Sequence, residues 1–140
     1  MTSLVGECES RVSSVLARNT KELGKQHMFD GHADTCWNSD QGTPQWIMIR
    51  WQHPVVIKSL VGQFQGGFCG GHDTIIEGSD GNGKWQELAP WHLEDKGTEQ
   101  ILELSQSPTI SKIKITFNTS TDFHGRIIIY KLDIIGNKSL

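Results

Sequence analysis

The two clearest apolar runs of this sequence are apolar at every second residue. Lys112 to Phe117 sets Ile113, Ile115 and Phe117 against Lys112, Lys114 and Thr116. Trp46 to Trp51 likewise sets Ile47, Ile49 and Trp51 against Trp46, Met48 and Arg50. Successive side chains of an extended chain point to opposite faces, so a period of two describes strands with one buried face. No segment of helical length carries a 3.6-residue stripe. The chain is therefore a sheet protein.

Other segments follow suit. Ser10 to Leu16 reads as a first strand and Asn19 to Gln26 as a polar loop turning at Gly24. Pro44 suits the entry to the Trp46–Trp51 strand. His53-Pro54 reads as a turn, after which Val55 to Gln65 sets Leu60, Gly62 and Phe64 against Val61, Gln63 and Gln65. Gly66 to Gly71 is a glycine-rich loop. Asp73 to Glu77 and Lys84 to Leu88 flank a hairpin turn at Ser79–Gly83. Pro90 to Thr98 reads as acidic and irregular, and Gln100 to Leu104 as a weaker strand anchored by Ile101 and Leu104. After the Asn118–Gly125 loop, Ile127 to Ile135 is the most apolar run, a central strand ended by Gly136. About eight short strands separated by turns are the pattern of an all-β sandwich or barrel. Residues 1–140 are expected to form one domain, with 137–140 as a flexible tail.

The totals narrow the function. Net charge is −3 with no basic run, so direct binding of nucleic acid through phosphates is not expected. No signal-like leader or membrane-length apolar stretch is visible, so neither secretion nor membrane binding is expected. Cys8, Cys36 and Cys69 form an odd, widely spaced set, as expected of free thiols in a reducing compartment. Asn118-Thr119-Ser120 and Asn137-Lys138-Ser139 match the glycosylation pattern, read here as chance. The expected compartment is the nucleus, with or without the cytoplasm.

Chemistry-bearing residues concentrate between Phe29 and Trp51. Asp30, Asp34 and Thr35 place hard oxygen donors within six residues, which suits calcium in kind, although calcium takes about 6–8 oxygens. The same turn reads equally as capped by its own carboxylate. Ser79 to Lys84 lacks the alternation of a calcium loop and reads as a hairpin. Cys69-Gly70-Gly71-His72 carries two soft ligands but no second close pair, so zinc is not expected. Six histidines lie mostly in loops outside any triad signature, and no acid/base pair stands out, so an enzyme is not expected. Five tryptophans leave two readings open, core residues or platforms for sugar rings. Phe68, in the glycine-rich loop, reads either as an exposed binding tip or as a plug in the end of the sandwich.

These residues form a pattern. Asp30-Gly31, Thr35, Trp37, Ser39, then Trp46-Ile47 and Ile49, followed by Ile76-Glu77, Ser79-Asp80-Gly81 and Trp85, resemble the discoidin or coagulation-factor C-type domain. The resemblance covers essentially the whole chain and implies a galactose-binding-like jelly-roll β-sandwich of about eight antiparallel strands. Segments 10–20, 34–42, 63–68 and 121–132 resemble small intracellular members. That narrower likeness implies a non-enzymatic interaction module that binds an orphan nuclear receptor and represses its transactivation. Calcium-binding members take an acid near the position of Lys131, so the resemblance implies a vestigial calcium site in which Lys131 pairs with Asp30, and no cofactor. Lipid-binding members display large apolar loop tips, for which Phe68 is the candidate here. The loops Asn19–Gln26, Asn38–Gln45, Gly66–His72 and Thr121–Gly125 are the expected contact surface, with Phe68, His72, His124 and Arg126 as candidate contacts. The alternatives are a carbohydrate-binding module using the same loop end, or a structural subunit of a larger intracellular assembly.

Overall fold

The computed structural model describes residues 1–139. Nine strands appear in the order β1 (Thr2–Ser3), β2 (Cys8–Val12), β3 (Trp37–Asn38), β4 (Gln45–Phe64), β5 (Thr74–Ser79), β6 (Gln86–Trp91), β7 (Gln100–Glu103), β8 (Thr109–Phe117) and β9 (Ile128–Lys138). The first half of β4 pairs with β2 and β8, and β8 pairs with β5, which pairs with β6. Its second half pairs with β7 and β9, and β9 in turn pairs with β1 and β3. All these pairings are antiparallel. The result is two layers joined through β4, an antiparallel jelly-roll sandwich.

The alternating residues fill the space between the layers. Ile47, Ile49, Ile113, Ile115 and Phe117 from the front layer are buried against Ile57, Leu60, Phe64, Leu132 and Ile134 from the back layer. Phe64 meets Phe117 edge-on, with centroids 5.8 Å apart. Trp37 and Trp51 are buried too, and each satisfies its indole N–H on a backbone carbonyl, of Ser14 at 2.9 Å and Leu4 at 2.7 Å. Such pairing removes the cost of enclosing a polar tip.

Several expectations are corrected. His53-Pro54 is no turn: β4 runs through it, and the register shifts between Arg50 and Val55 as the strand passes from one layer to the other. The strand expected at Ser10–Leu16 lies earlier, at Cys8–Val12 (β2), after the short β1, and Asn19–Gln26 holds a one-turn helix, α1 (Thr20–Leu23). Asn19 caps that turn, its side-chain oxygen accepting the Glu22 N–H at 3.2 Å. Pro90 lies inside β6. In β7 the phase is reversed. Ile101 is 61% exposed, whereas Gln100 is buried because its amide accepts from the Glu94 N–H and donates to the Glu94 carbonyl, both at 2.9 Å. Asn137 and Lys138 belong to β9 opposite Val56 and Val55, not to a tail; Leu140 lies outside the described residues.

Gly136 does not end the last strand but sits within it. A Cβ there would meet the Val56 carbonyl oxygen at 1.9 Å, so only glycine fits. Gly136→Ala is expected to destabilise the protein by about 2–3 kcal/mol, read as a lower urea midpoint at unchanged m-value.

Candidate functional site

Strand polarity collects one set of loops at one end of the sandwich. The β3–β4 loop, the β4–β5 loop and the β8–β9 loop are bound to one another there. Gly42 N–H donates to the His124 carbonyl at 2.8 Å, and Thr121 N–H to the Cys69 carbonyl at 3.0 Å. Gly70 and Ser120 form a bridge, and Gly71 N–H donates to the Thr119 carbonyl at 2.8 Å. Gly125 has φ +83, and a Cβ on it would meet the Gly42 backbone at 2.9 Å. Three of the four expected contact loops are therefore adjacent. The fourth, Asn19–Gln26, packs instead beside β2, where the Lys25 ammonium donates to the Ser10 carbonyl. Its place is taken by the β6–β7 loop, whose Asp95 accepts the Gly67 N–H at 2.7 Å.

Buried polar side chains hold this end rigid. Gln45 accepts the Ser13 and Ser14 hydroxyls at 2.5 and 2.7 Å and donates to the Asp40 and Gly42 carbonyls at 3.2 and 2.7 Å. All four hydrogen-bonding positions of its amide are thus used. Ser39, fully buried, accepts the Ile127 N–H at 2.8 Å. Asp122 accepts the Arg126 N–H at 3.0 Å and its guanidinium at 3.3 Å. Burial opposes the charge on Asp122, but the Arg126 donors outweigh it and hold the carboxyl below its ordinary range.

Above this base stand the exposed groups. The Arg126 guanidinium lies 4.7 Å over the Phe68 ring, so two candidate residues meet. Phe68 is half-buried under that cation and is not the exposed tip. That role belongs to Phe123, 95% exposed between Asp122 and His124, with its ring 5.3 Å from the His124 ring. Periodicity gives no signal for a single loop residue, so Phe123 escapes a reading based on alternation. Exposed His72 lies apart from this group, stacked on His92 at 4.5 Å. None of the five tryptophans joins them. Trp37, Trp51 and Trp91 are buried, Trp46 lies under Lys114 on the front layer, and Trp85 is beside the Ser79–Gly83 hairpin at the other end. Cys69 is buried, its thiol pushed up to about 11 by that burial, and does not meet His72 as a zinc pair.

The acidic turn is a self-capped structure. Asp30 accepts the Thr35 hydroxyl at 2.7 and 2.9 Å, the His32 N–H at 2.9 Å and the His27 Nδ1 at 3.0 Å. Three hydrogens thus meet its two oxygens, the arrangement of a self-capped turn rather than of a set of calcium ligands. Asp34 is exposed and outside this network, and no group of three or more His, Cys, Asp or Glu among the described residues could hold a metal ion. Lys131 reaches the same cleft as Gly31 and His32, but its ammonium pairs with Glu99 at 2.8 Å rather than with Asp30. The expected Lys131–Asp30 pair is therefore replaced. The positive group at Asp30 is His27, whose Nε2 lies 2.8 Å from the Lys21 carbonyl. With an acceptor at each ring nitrogen, the protonated form of the side chain is favoured.

These contacts have a pH signature. The Asp30 hydrogen bond, seconded by the Lys21 carbonyl, raises the His27 pKa. Burial opposes ionisation of Asp30, but its donors outweigh that and lower it to about 2. The His27 share of stability is complete below about pH 6.5 and is lost as pH rises through the higher folded value. The Asp30 share is complete above about pH 4 and is lost as pH falls towards the folded value. The unfolding free energy of the wild type in urea should exceed that of His27→Gln most between these limits, by roughly 1 kcal/mol, with the gap closing as pH rises through the raised His27 value. A gap independent of pH would exclude the ion pair.

A rigid sandwich with converging loops at one end is the arrangement of a binding module. Residues 27–115 match the family model described as a NedA-like, galactose-binding domain of the F5/8 type C class. The chain belongs to this F5/8 type C, galactose-binding-like family. It is 44% identical over 132 residues to the nuclear receptor 2C2-associated protein of Danio rerio, covering 94% of this chain and 93% of that one. The human protein of that name is 40% identical over 132 residues, covering 94% of each. Among solved structures, the Clostridium perfringens module CpGH89CBM32-5 in complex with GalNAc-β-1,3-galactose superposes with a TM-score of 0.80. Its identity is 14%, with 96% of this chain and 100% of that one covered. A chitosan-binding module from Paenibacillus superposes with a TM-score of 0.79 at 16% identity, covering 97% of this chain and 100% of that one. At such identities the likeness is one of fold.

Proposed function

We propose that this protein is a non-enzymatic, single-domain interaction module that associates with an orphan nuclear receptor in the nucleus, represses its transactivation, and needs no metal or cofactor. The observation that carries the reading is the likeness, over nearly the full length of both chains, to proteins named for association with nuclear receptor 2C2. The structure adds a surface suited to a protein partner. Phe123 is a projecting aromatic on a loop fixed by Asp122, Arg126 and Gly42, so docking it costs little ordering entropy. Aromatic anchors of this kind carry a large share of binding energy at protein interfaces.

A carbohydrate is the second reading, favoured by the Arg126–Phe68 stack at the same end, which offers a cation and a ring edge to a sugar. Against it stands the shape of the surface: a side chain 95% exposed is a knob, whereas sugar platforms line a concavity.

One titration separates the two. Amide NMR spectra are recorded while the ligand-binding domain of nuclear receptor 2C2, or galactose, is added. Shifts confined to residues 39–44, 65–73 and 118–127 with the receptor, weakened about 30-fold by Phe123→Ala, support the proposal. Phe123→Ala should also relieve repression in a receptor reporter assay. Shifts with galactose alone would favour the carbohydrate reading, and none with the receptor would overturn the proposed association.

A further inference from the structure

Five cations of this acidic chain meet on the outer face of the front layer. Strand register fixes the arrangement: Arg11 stands opposite Met48 and Met48 opposite Lys114, while Glu9 stands opposite Arg50 and Arg50 opposite Lys112. Lys25 reaches the same place from beside β2. Glu9, paired with Arg50 at 2.5 Å, lies within the cluster, and Glu77 stands opposite Lys114 at its edge. Arg11, Lys25, Lys112 and Lys114 form no ion pair among the described residues.

This concentration runs against the balance of the whole chain, which has 13 Lys and Arg against 16 Asp and Glu. With five cations and two carboxylates here, eight cations face 14 carboxylates elsewhere. Like charges directly opposite on neighbouring strands are destabilising, as Arg50 and Lys112 are here, and a Debye length of about 10 Å spans the cluster. The fold thus retains an electrostatic cost that an anionic partner would relieve.

The surface is also shaped. A cleft of about 610 Å³ is lined by Arg11, Lys25, Met48, Arg50 and Lys112. A second, of about 520 Å³, shares Arg11 and Lys25 and adds Val12, Val15, Arg18 and Trp46. Ala17 and Arg18 adopt φ 53 and 56, a left-handed conformation that costs non-glycine residues about 1–2 kcal/mol each. This bend carries Arg18 to the second cleft. One end of the groove is therefore cationic and the other apolar with a cationic rim.

We infer that this groove binds an extended acidic segment of a partner protein. Its carboxylates sit on Arg11, Lys25, Arg50 and Lys112, and an apolar side chain rests against Val12, Val15 and Trp46. A nucleic acid fits less well, because the rest of the surface repels a long polyanion and the apolar end offers nothing to a phosphodiester. The groove runs along the outer face of the front layer, its apolar end bordering the loop end at Ser14, so it is a second contact surface distinct from the projecting Phe123.

Fluorescence anisotropy tests this with two labelled probes, an acidic peptide of glutamates around a central leucine pair and an oligothymidylate of equal charge. The peptide is expected to bind saturably and more tightly than the oligonucleotide, with affinity falling as salt rises. Arg11→Glu with Lys112→Glu should weaken it at least tenfold, whereas Lys58→Glu with Lys84→Glu, an equal change in net charge, should leave it within twofold. Val15→Ala should weaken the leucine-containing peptide but not plain polyglutamate. Melting curves establish that each variant is folded. No peptide binding, equal losses in the two double variants, or tighter binding of the oligonucleotide would each overturn the inference.

Discussion

Strand β4 must keep its apolar side chains facing the core in two different layers. In the front layer its odd-numbered residues Ile47, Ile49 and Trp51 are buried; in the back layer the even-numbered Leu60, Gly62 and Phe64 are. A strict period of two cannot do both. The phase changes where the register against β9 slips between Ile57 and Ser59, leaving Lys58 as an extra, exposed residue. The Lys58 carbonyl is not wasted, since it accepts the Leu104 N–H at 2.9 Å. A one-residue slip flips every later side chain to the opposite face, so this bulge decides whether the back layer closes on the front. Gly136 lies directly opposite Ile57, and its lack of a Cβ gives the irregular backbone room to approach.

The same strand fixes the loop end, because its first residue is Gln45. An apolar side chain there would continue the core but take the acceptor from two serine O–H groups and the donor from the Gly42 carbonyl, and unpaired buried polar groups cost about 1–3 kcal/mol each. With Gln45 in place, the chain entering β4 is tied to the chain leaving β2. Ser39 repeats the device by joining the loops that precede β4 and β9, and Asp122 ties the second of these to itself through Arg126. Rigidity at this end comes from side chains satisfied inside the protein, so the exposed Phe123 is presented by a preorganised base.

What the sequence discloses follows from which forces have a period. The alternation in β8 and in both halves of β4 predicts buried residues correctly, because burial of one face dictates it. The discoidin-like pattern adds topology that periodicity lacks. Where the structure departs, a non-periodic contact has prevailed. Gln100 takes the inward place in β7 through two hydrogen bonds to Glu94, six positions away and outside the reach of alternation, and Ile101 is left outside. Pro54 reads as a turn because it lacks an N–H, yet an exposed position at a change of layer asks for none. Phe68 and Phe123 are equivalent to any composition argument; only the placement of Arg126 shows which one is covered. Lys131 is assigned to Asp30 by family position, but Glu99 offers a closer carboxylate on the adjoining loop.

Charge is settled locally in most of this molecule, which gives the exception its meaning. Asp30 has His27, Lys131 has Glu99, Asp122 has Arg126 and Lys138 has Glu7. In each case the two groups lie near enough that folding satisfies both without an external ion. The outer face of β2, β4 and β8 departs from that economy. Glu9 and Glu77 balance it only in part, and strand register holds Arg50 and Lys112 side by side. Sheet propensity does not require lysine or arginine at outward positions, since threonine or glutamine would serve the strand as well or better. A cationic face built at some cost to the fold, bordered by an apolar cleft and by left-handed backbone at Ala17 and Arg18, has its physical reason outside the chain.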